Sequence, residues 1–217
     1  MKGLLIKDIK LLANMRSSLV FILLIAVGMA AYMSDASFIV MYLGLIGTSF
    51  TSSTVSYDEY DNGYGFLFSL PVTRRDYAVE KYCFGLLMGG GGWLAGTVLS
   101  VASAVVKEGA APLDAFMISL MLFPAVMIML SVLLPLHMKF GAEKSRIVMI
   151  GAAGALFGLF AVAFKILDGM DLNLNAAWDR LPAFGMGAVI AGATAAGIAI
   201  LLLSCRISIS IMEKKEF

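Results

Sequence analysis

Long apolar runs decide what this chain can fold into. A transmembrane helix needs about 20 consecutive, mostly apolar residues, and fewer where flanking side chains snorkel or the bilayer thins. Six runs of this kind occur, over residues 17–33, 38–56, 84–106, 113–136, 147–167 and 182–205. No aspartate or glutamate lies deep inside any of them, and Asp114 and Lys165 sit at run ends, within reach of an interface. Composition agrees: 60% of the residues are hydrophobic and 14% charged, where soluble domains carry about 25% charged. With a mean hydropathy of +0.92, a water-soluble fold would lack the polar surface to cover its core, whereas lipid accepts apolar side chains facing outward. The expected fold class is an all-α membrane protein with six transmembrane helices, forming one domain over residues 1–217.

The first run follows a basic stretch, as a signal peptide would, but Tyr32-Met33-Ser34-Asp35 is a poor cleavage site and more spans follow, so it reads as an uncleaved first span. Charge gives the orientation. All of the 16 basic residues except Lys107, Lys165 and Arg180 fall on one side of a six-span layout, and the side rich in Lys and Arg is cytoplasmic. Both termini are therefore expected in the cytosol, with short external connections. A net charge of +1, with cations dispersed in small groups, gives no reason to expect nucleic acid as a partner. Cys83 and Cys205 form no CxxC pair and imply no disulfide framework.

Two segments outside the spans carry information. Residues 1–16 read as an interfacial helix with Leu5, Ile9 and Leu12 on one face and Lys7, Lys10 and Asn14 opposite, Asp8 falling on the flank of the apolar side. The loop 57–82 is longer than an interhelical turn requires. It holds five of the seven tyrosines: Tyr57, Tyr60, Tyr64, Tyr77 and Tyr82. Around them stand Asp58, Glu59, Asp61, Asn62 and Gly63, the apolar patch Phe66, Leu67 and Phe68, and then Arg74 and Arg75. Aromatics and arginine beside an apolar patch are what a protein interface uses. Pro71 ends one element, and Thr73 with Asp76 three residues on predicts a capping box for a helix running into the third span.

The spans themselves hold a hydroxyl-rich stretch with Thr48, Thr51, Ser52 and Thr54, read either as hydroxyls bonding to carbonyls of their own helix or as the lining of a polar path. Small-residue pairs at i, i+4 (Gly85/Gly89, Gly92/Gly96, Gly154/Gly158, Ala193/Gly197) predict close helix packing, within the chain rather than between chains. Pro124 predicts a bend in the fourth span. The single histidine, His137, has no companions for a metal site and reads as an interfacial residue. No G-x-x-x-x-G-K-[ST] occurs, and Gly89–Gly92 leads into Trp93 and Leu94 inside an apolar span, so no nucleotide cradle is expected in this chain.

The stretch SYDEYDNGYGFLFSLPVTRRDYAVEKY, with the N-terminal MKGLLIKDIKLL and the later PLHMKFGAEKSR, resembles the bacterial ABC-2 family of permeases over nearly the whole chain. The resemblance implies six transmembrane helices, an N-terminal interfacial helix and a cytosolic coupling helix between spans two and three. It implies that two permease chains pair, a homodimer being favoured, with each resting on an ATP-binding subunit that holds the ATP and Mg. It implies the bacterial plasma membrane as the location and export of amphipathic or antimicrobial-type peptides as the activity. The coupling interface would be Tyr57 to Tyr64, Phe66 to Phe68, Arg74 and Arg75, moved when the ATPase pair closes. Against this stand an ion-coupled carrier, which usually places acidic groups at mid-membrane, and a membrane scaffold with no ATPase partner. An intramembrane enzyme would need a nucleophile, metal or paired-carboxylate motif, and the sequence has none.

Overall fold

In hydrocarbon a backbone must satisfy its own N–H and C=O groups, which favours helices. The computed structural model describes residues 2–33, 37–60, 63–107, 111–169 and 185–215, except for the side chains of residues 142, 143, 146, 149 and 152–169. Within these the chain forms α1 (Lys2–Asn14), α2 (Arg16–Tyr32), α3 (Ser37–Glu59), α4 (Gly63–Ser69), α5 (Arg74–Val106), α6 (Pro112–Gly169) and α7 (Met186–Lys214). There is no strand among the described residues.

Four helical stretches are long and apolar enough to cross a bilayer: α3, α5, Pro112–Gly141 of α6, and α7. α1 and α2 meet at a 68° bend and make a fifth when taken as one broken span. The run predicted over 147–167 lies in the part of α6 beyond Gly141, helical to Gly169, and residues 182–184 of the last predicted run lie outside the described residues. α5, at 33 residues, is about 50 Å long. That exceeds a hydrocarbon core of about 30 Å, so its first turns stand clear of the lipid tails.

α3 lies at the centre and packs against both α5 and α6. Glycine makes this possible where α3 and α5 cross: a Cβ on Gly47 would run into the Met88 carbonyl, and one on Gly92 into that of Leu43. Gly96 faces Val40 of α3, while Gly85 and Gly89 face Leu130 and Val126 of α6. These predicted small-residue pairs thus serve packing within the chain; Gly154 and Gly158 lie outside the described side chains. α5 and α6 are also joined by Trp93, whose Nε1 donates to the Ser119 carbonyl (2.7 Å) and whose ring lies 4.7 Å from that of Phe123. Val20, Phe21 and Leu24 of α2 and Leu202, Leu203 and Ile207 of α7 point outward, an apolar surface that suits lipid.

α6 runs through Pro124 and Pro135; its dihedrals leave the helical region at Gly141 (φ 74°, ψ 176°). The break falls where glycine tolerates a positive φ and where the Glu59 carboxylate fills the space a Cβ would take. His137 is buried within the chain near this break, with Nδ1 3.2 Å from the Leu133 carbonyl oxygen of its own helix. The start of α1, the end of α3, α4, the start of α5, the break in α6 and the end of α7 all meet at one end of the bundle. At the other end Lys107 donates to the Met33 carbonyl, and Asp114 of α6 and Met186 of α7 line one shallow cavity.

Candidate functional site

The basic end is built around a buried charge cluster. Leu4, Asp8 and Leu12 recur every four residues and so share one face of α1; that face is the buried one, so Leu12 is buried as expected while Leu4 and Asp8 take the inner places expected of Leu5 and Ile9. Ile9 is 49% exposed and Leu5 half-buried. The reason is Asp8. Its carboxylate accepts from the Nζ of Lys81, itself fully buried on α5. Lys81 also lies 2.7 Å from Asp58 at the end of α3 and donates to Thr54 Oγ1 (3.1 Å). Lys7 pairs with Asp58 and stands 3.3 Å from Asp8. Tyr77 donates to Asp58 as well (3.1 Å). Charges this deeply buried persist only when paired and hydrogen-bonded, so the cluster dictates how α1, α3 and α5 meet. Next to it Glu80 is buried, and neither of its carboxylate oxygens has a hydrogen-bond partner among the described residues.

α4 rests on this platform. Gly63 starts the helix so close to α3 that a Cβ would press on the Asp58 carbonyl. Tyr64 and Leu67, 4% and 7% exposed, face the core. Tyr64 stacks on Phe68 (6.1 Å between centroids) and meets the edge of Tyr77 (5.8 Å). Burial pushes the Tyr64 phenol well above its ordinary pKa, so it stays neutral. Phe68 contacts Tyr77 at 5.9 Å and lies beneath the Arg74 guanidinium at 5.8 Å. Phe66 does the opposite: it is 73% exposed on a helix whose other aromatics are locked. The capping box forms as the sequence predicts, the Asp76 N–H donating to Thr73 Oγ1 (3.0 Å) and the hydroxyl returning a bond to Asp76 Oδ2 (2.7 Å).

The residues expected at the interface therefore separate into two groups. Tyr57, Tyr60, Phe66 and Arg75 are exposed. Asp58, Glu59, Tyr64, Leu67, Phe68 and Arg74 hold the platform together. Asp61 and Asn62 lie outside the described residues. Thr48, Thr51, Ser52 and Thr54 are all buried within the chain, so a solute reaches them only where α3 parts from its neighbours. Thr48 and Thr54 bond to the carbonyls of Leu45 and Thr51, at 2.8 and 2.9 Å. Sequence reasoning missed Lys7, Asp8, Lys81 and Lys215. The signal was there in Asp8, an acid on an apolar face, which demands a partner.

With this geometry in place the chain can be set beside known proteins. The sequence model of the ABC-2 family transporter protein matches residues 3–213. The chain belongs to the ABC-2 transporter family. No curated protein and no solved structure matches it. Several apolar helices able to cross a bilayer suit an ABC-2 transporter chain. Among the described residues of this ABC-2 chain, no group of three or more His, Cys, Asp or Glu side chains is placed to hold a metal.

Proposed function

We propose that the chain is the permease subunit of an ATP-driven exporter, that its basic end lies in the cytosol of a bacterial cell, and that a separate ATP-binding subunit docks on α4. The observation that carries this reading is Phe66. An apolar ring 73% exposed at a bundle end, on a helix pinned by Tyr64, Leu67 and Phe68, is a rigid knob suited to a pocket on a partner. ATP and Mg belong to that partner, since this sequence lacks a phosphate-binding loop. The permease itself carries out no chemistry.

Chain direction supports six crossings. α6 reaches the basic end at Gly141, beside Glu59, and α7 starts from the opposite end, where Met186 shares a cavity with Asp114. A crossing between them would join the two ends, and the helix from Gly141 to Gly169, at about 1.5 Å per residue, is long enough for it. Both termini then share one side. Family membership further supports two paired permease chains, a homodimer in the simplest case, and amphipathic or antimicrobial-type peptides as the cargo.

The test is reconstitution of the chain with its ATP-binding subunit in vesicles loaded with a fluorescent amphipathic peptide. ATP-dependent movement of the peptide should stop when the catalytic carboxylate of the ATPase is removed. Undiminished movement with a dead ATPase would overturn the proposal.

A further inference from the structure

A helix ends with four backbone carbonyls that have no partner within the helix, and a cation close to them is favourable. At the end of α7 that cation comes from far along the chain. Arg74, at the start of α5, directs one guanidinium nitrogen at the carbonyls of Met212 (3.3 Å), Glu213 (2.9 Å) and Lys215 (2.6 Å). The same guanidinium covers Phe68 of α4. Lys215 reaches back the other way. Its Nζ donates to the Met138 carbonyl of α6 (3.1 Å), lies 3.7 Å from the Glu59 carboxylate and sits 5.1 Å over the Tyr64 ring. Met212 is fully buried in the apolar cluster that also holds Tyr64, Leu67 and Tyr77. Further into the bundle, Tyr82 bonds to Ser204 (2.6 Å) and Ser208 (2.9 Å), so α7 is keyed to α5 at successive turns.

We infer that Arg74 is a positioning residue that makes the end of α7 part of the coupling element, so that motion delivered to α4 moves the last helix together with α5. This rests on the exporter reading above, and it extends the element on which the ATP-binding subunit docks from α4 to the end of α7. A lysine at position 74 keeps the charge but not the planar guanidinium that lies over the Phe68 ring while reaching the α7 carbonyls.

The experiment uses the permease assembled with its ATP-binding subunit in lipid nanodiscs. Spin labels replace the exposed Leu70 and Lys214 on a Cys83→Ser, Cys205→Ser background. The distance is read without nucleotide and after ATP hydrolysis in the presence of vanadate, which traps ADP with vanadate in the place of the released phosphate. In the parent the distance should hold to within about 2 Å, the scale of ordinary helix shifts at interfaces. In Arg74→Ala it should become nucleotide-dependent, with Arg74→Lys in between, while the ATPase subunit still co-elutes. A parent distance that changes on trapping, or an Arg74→Ala distance as constant as the parent's, would overturn the inference while leaving the exporter reading standing. If Arg74→Ala fails to assemble, the parent distance alone decides. Failure of the parent chain to bind an ATP-binding subunit would remove both.

Discussion

Replacing Lys81 by Met removes the cation that Asp8 and Asp58 share. Lys81 is fully buried, and without it Asp8 keeps only Lys7, 3.3 Å away with a side chain 36% exposed. Taking one partner from a buried ion pair costs about 3–5 kcal/mol. The spans need not bear that cost, because lifting α1 off the bundle returns Asp8 to water. The penalty therefore falls on the docking of α1. At about 1.4 kcal/mol per decade, it lowers the docked-to-open ratio by two to three and a half orders of magnitude. A cysteine at the buried Leu4, in a Cys83→Ser, Cys205→Ser background, reports the opening through its rate of maleimide labelling. Lys81→Met should speed labelling roughly 100-fold or more. Adding Asp8→Asn should slow it again, since the orphaned charge is gone. If Lys81→Met labels within about twofold of the parent, the scatter of a neutral substitution, the charge cluster is not what holds α1 and the reasoning fails.

Three further expectations concern packing and the α4 surface. Gly47→Ala and Gly92→Ala should each lower thermal stability in detergent by the equivalent of about 1–3 kcal/mol, because each Cβ meets a facing carbonyl, whereas Gly90→Ala and Gly91→Ala, with open space around them, should be neutral. Tyr82→Phe should cost about 0.6–2 kcal/mol through loss of the bonds to Ser204 and Ser208, seen as a lower unfolding midpoint with assembly retained. Phe68→Asp should strip α4 from Tyr64, Tyr77 and Arg74 and yield poorly folded protein, while Phe66→Asp should purify like the parent and lose only stimulation of the ATPase.

Much of this architecture is legible in the sequence because a bilayer imposes length and apolarity on each crossing, and because loops carry their punctuation openly. Thr73 and Asp76 announce a helix start that the structure contains, and the glycines of α5 announce close packing that it also contains. Less legible is what happens where charges meet. The pattern of α1 favours Leu5 and Ile9 as its inner face, and the structure turns Leu4 and Asp8 inward instead, because Lys81, 73 residues further along, waits there. Periodicity within one helix holds no information about a partner supplied by another. The burial of His137 and the break at Gly141 escape for the same reason: both are decided by what packs against α6. Within loop 57–82, sequence marks the aromatics as a group. Only the fold separates Phe66, turned outward, from Tyr64 and Leu67, turned in.

The most direct test places a photoreactive benzoylphenylalanine at position 66 in the assembled complex and asks what it captures. The account predicts a covalent adduct with the ATP-binding subunit, and none from the same probe at the exposed Leu113 at the far end of the bundle. Capture of the ATPase from position 113, or only lipid from position 66, would contradict it.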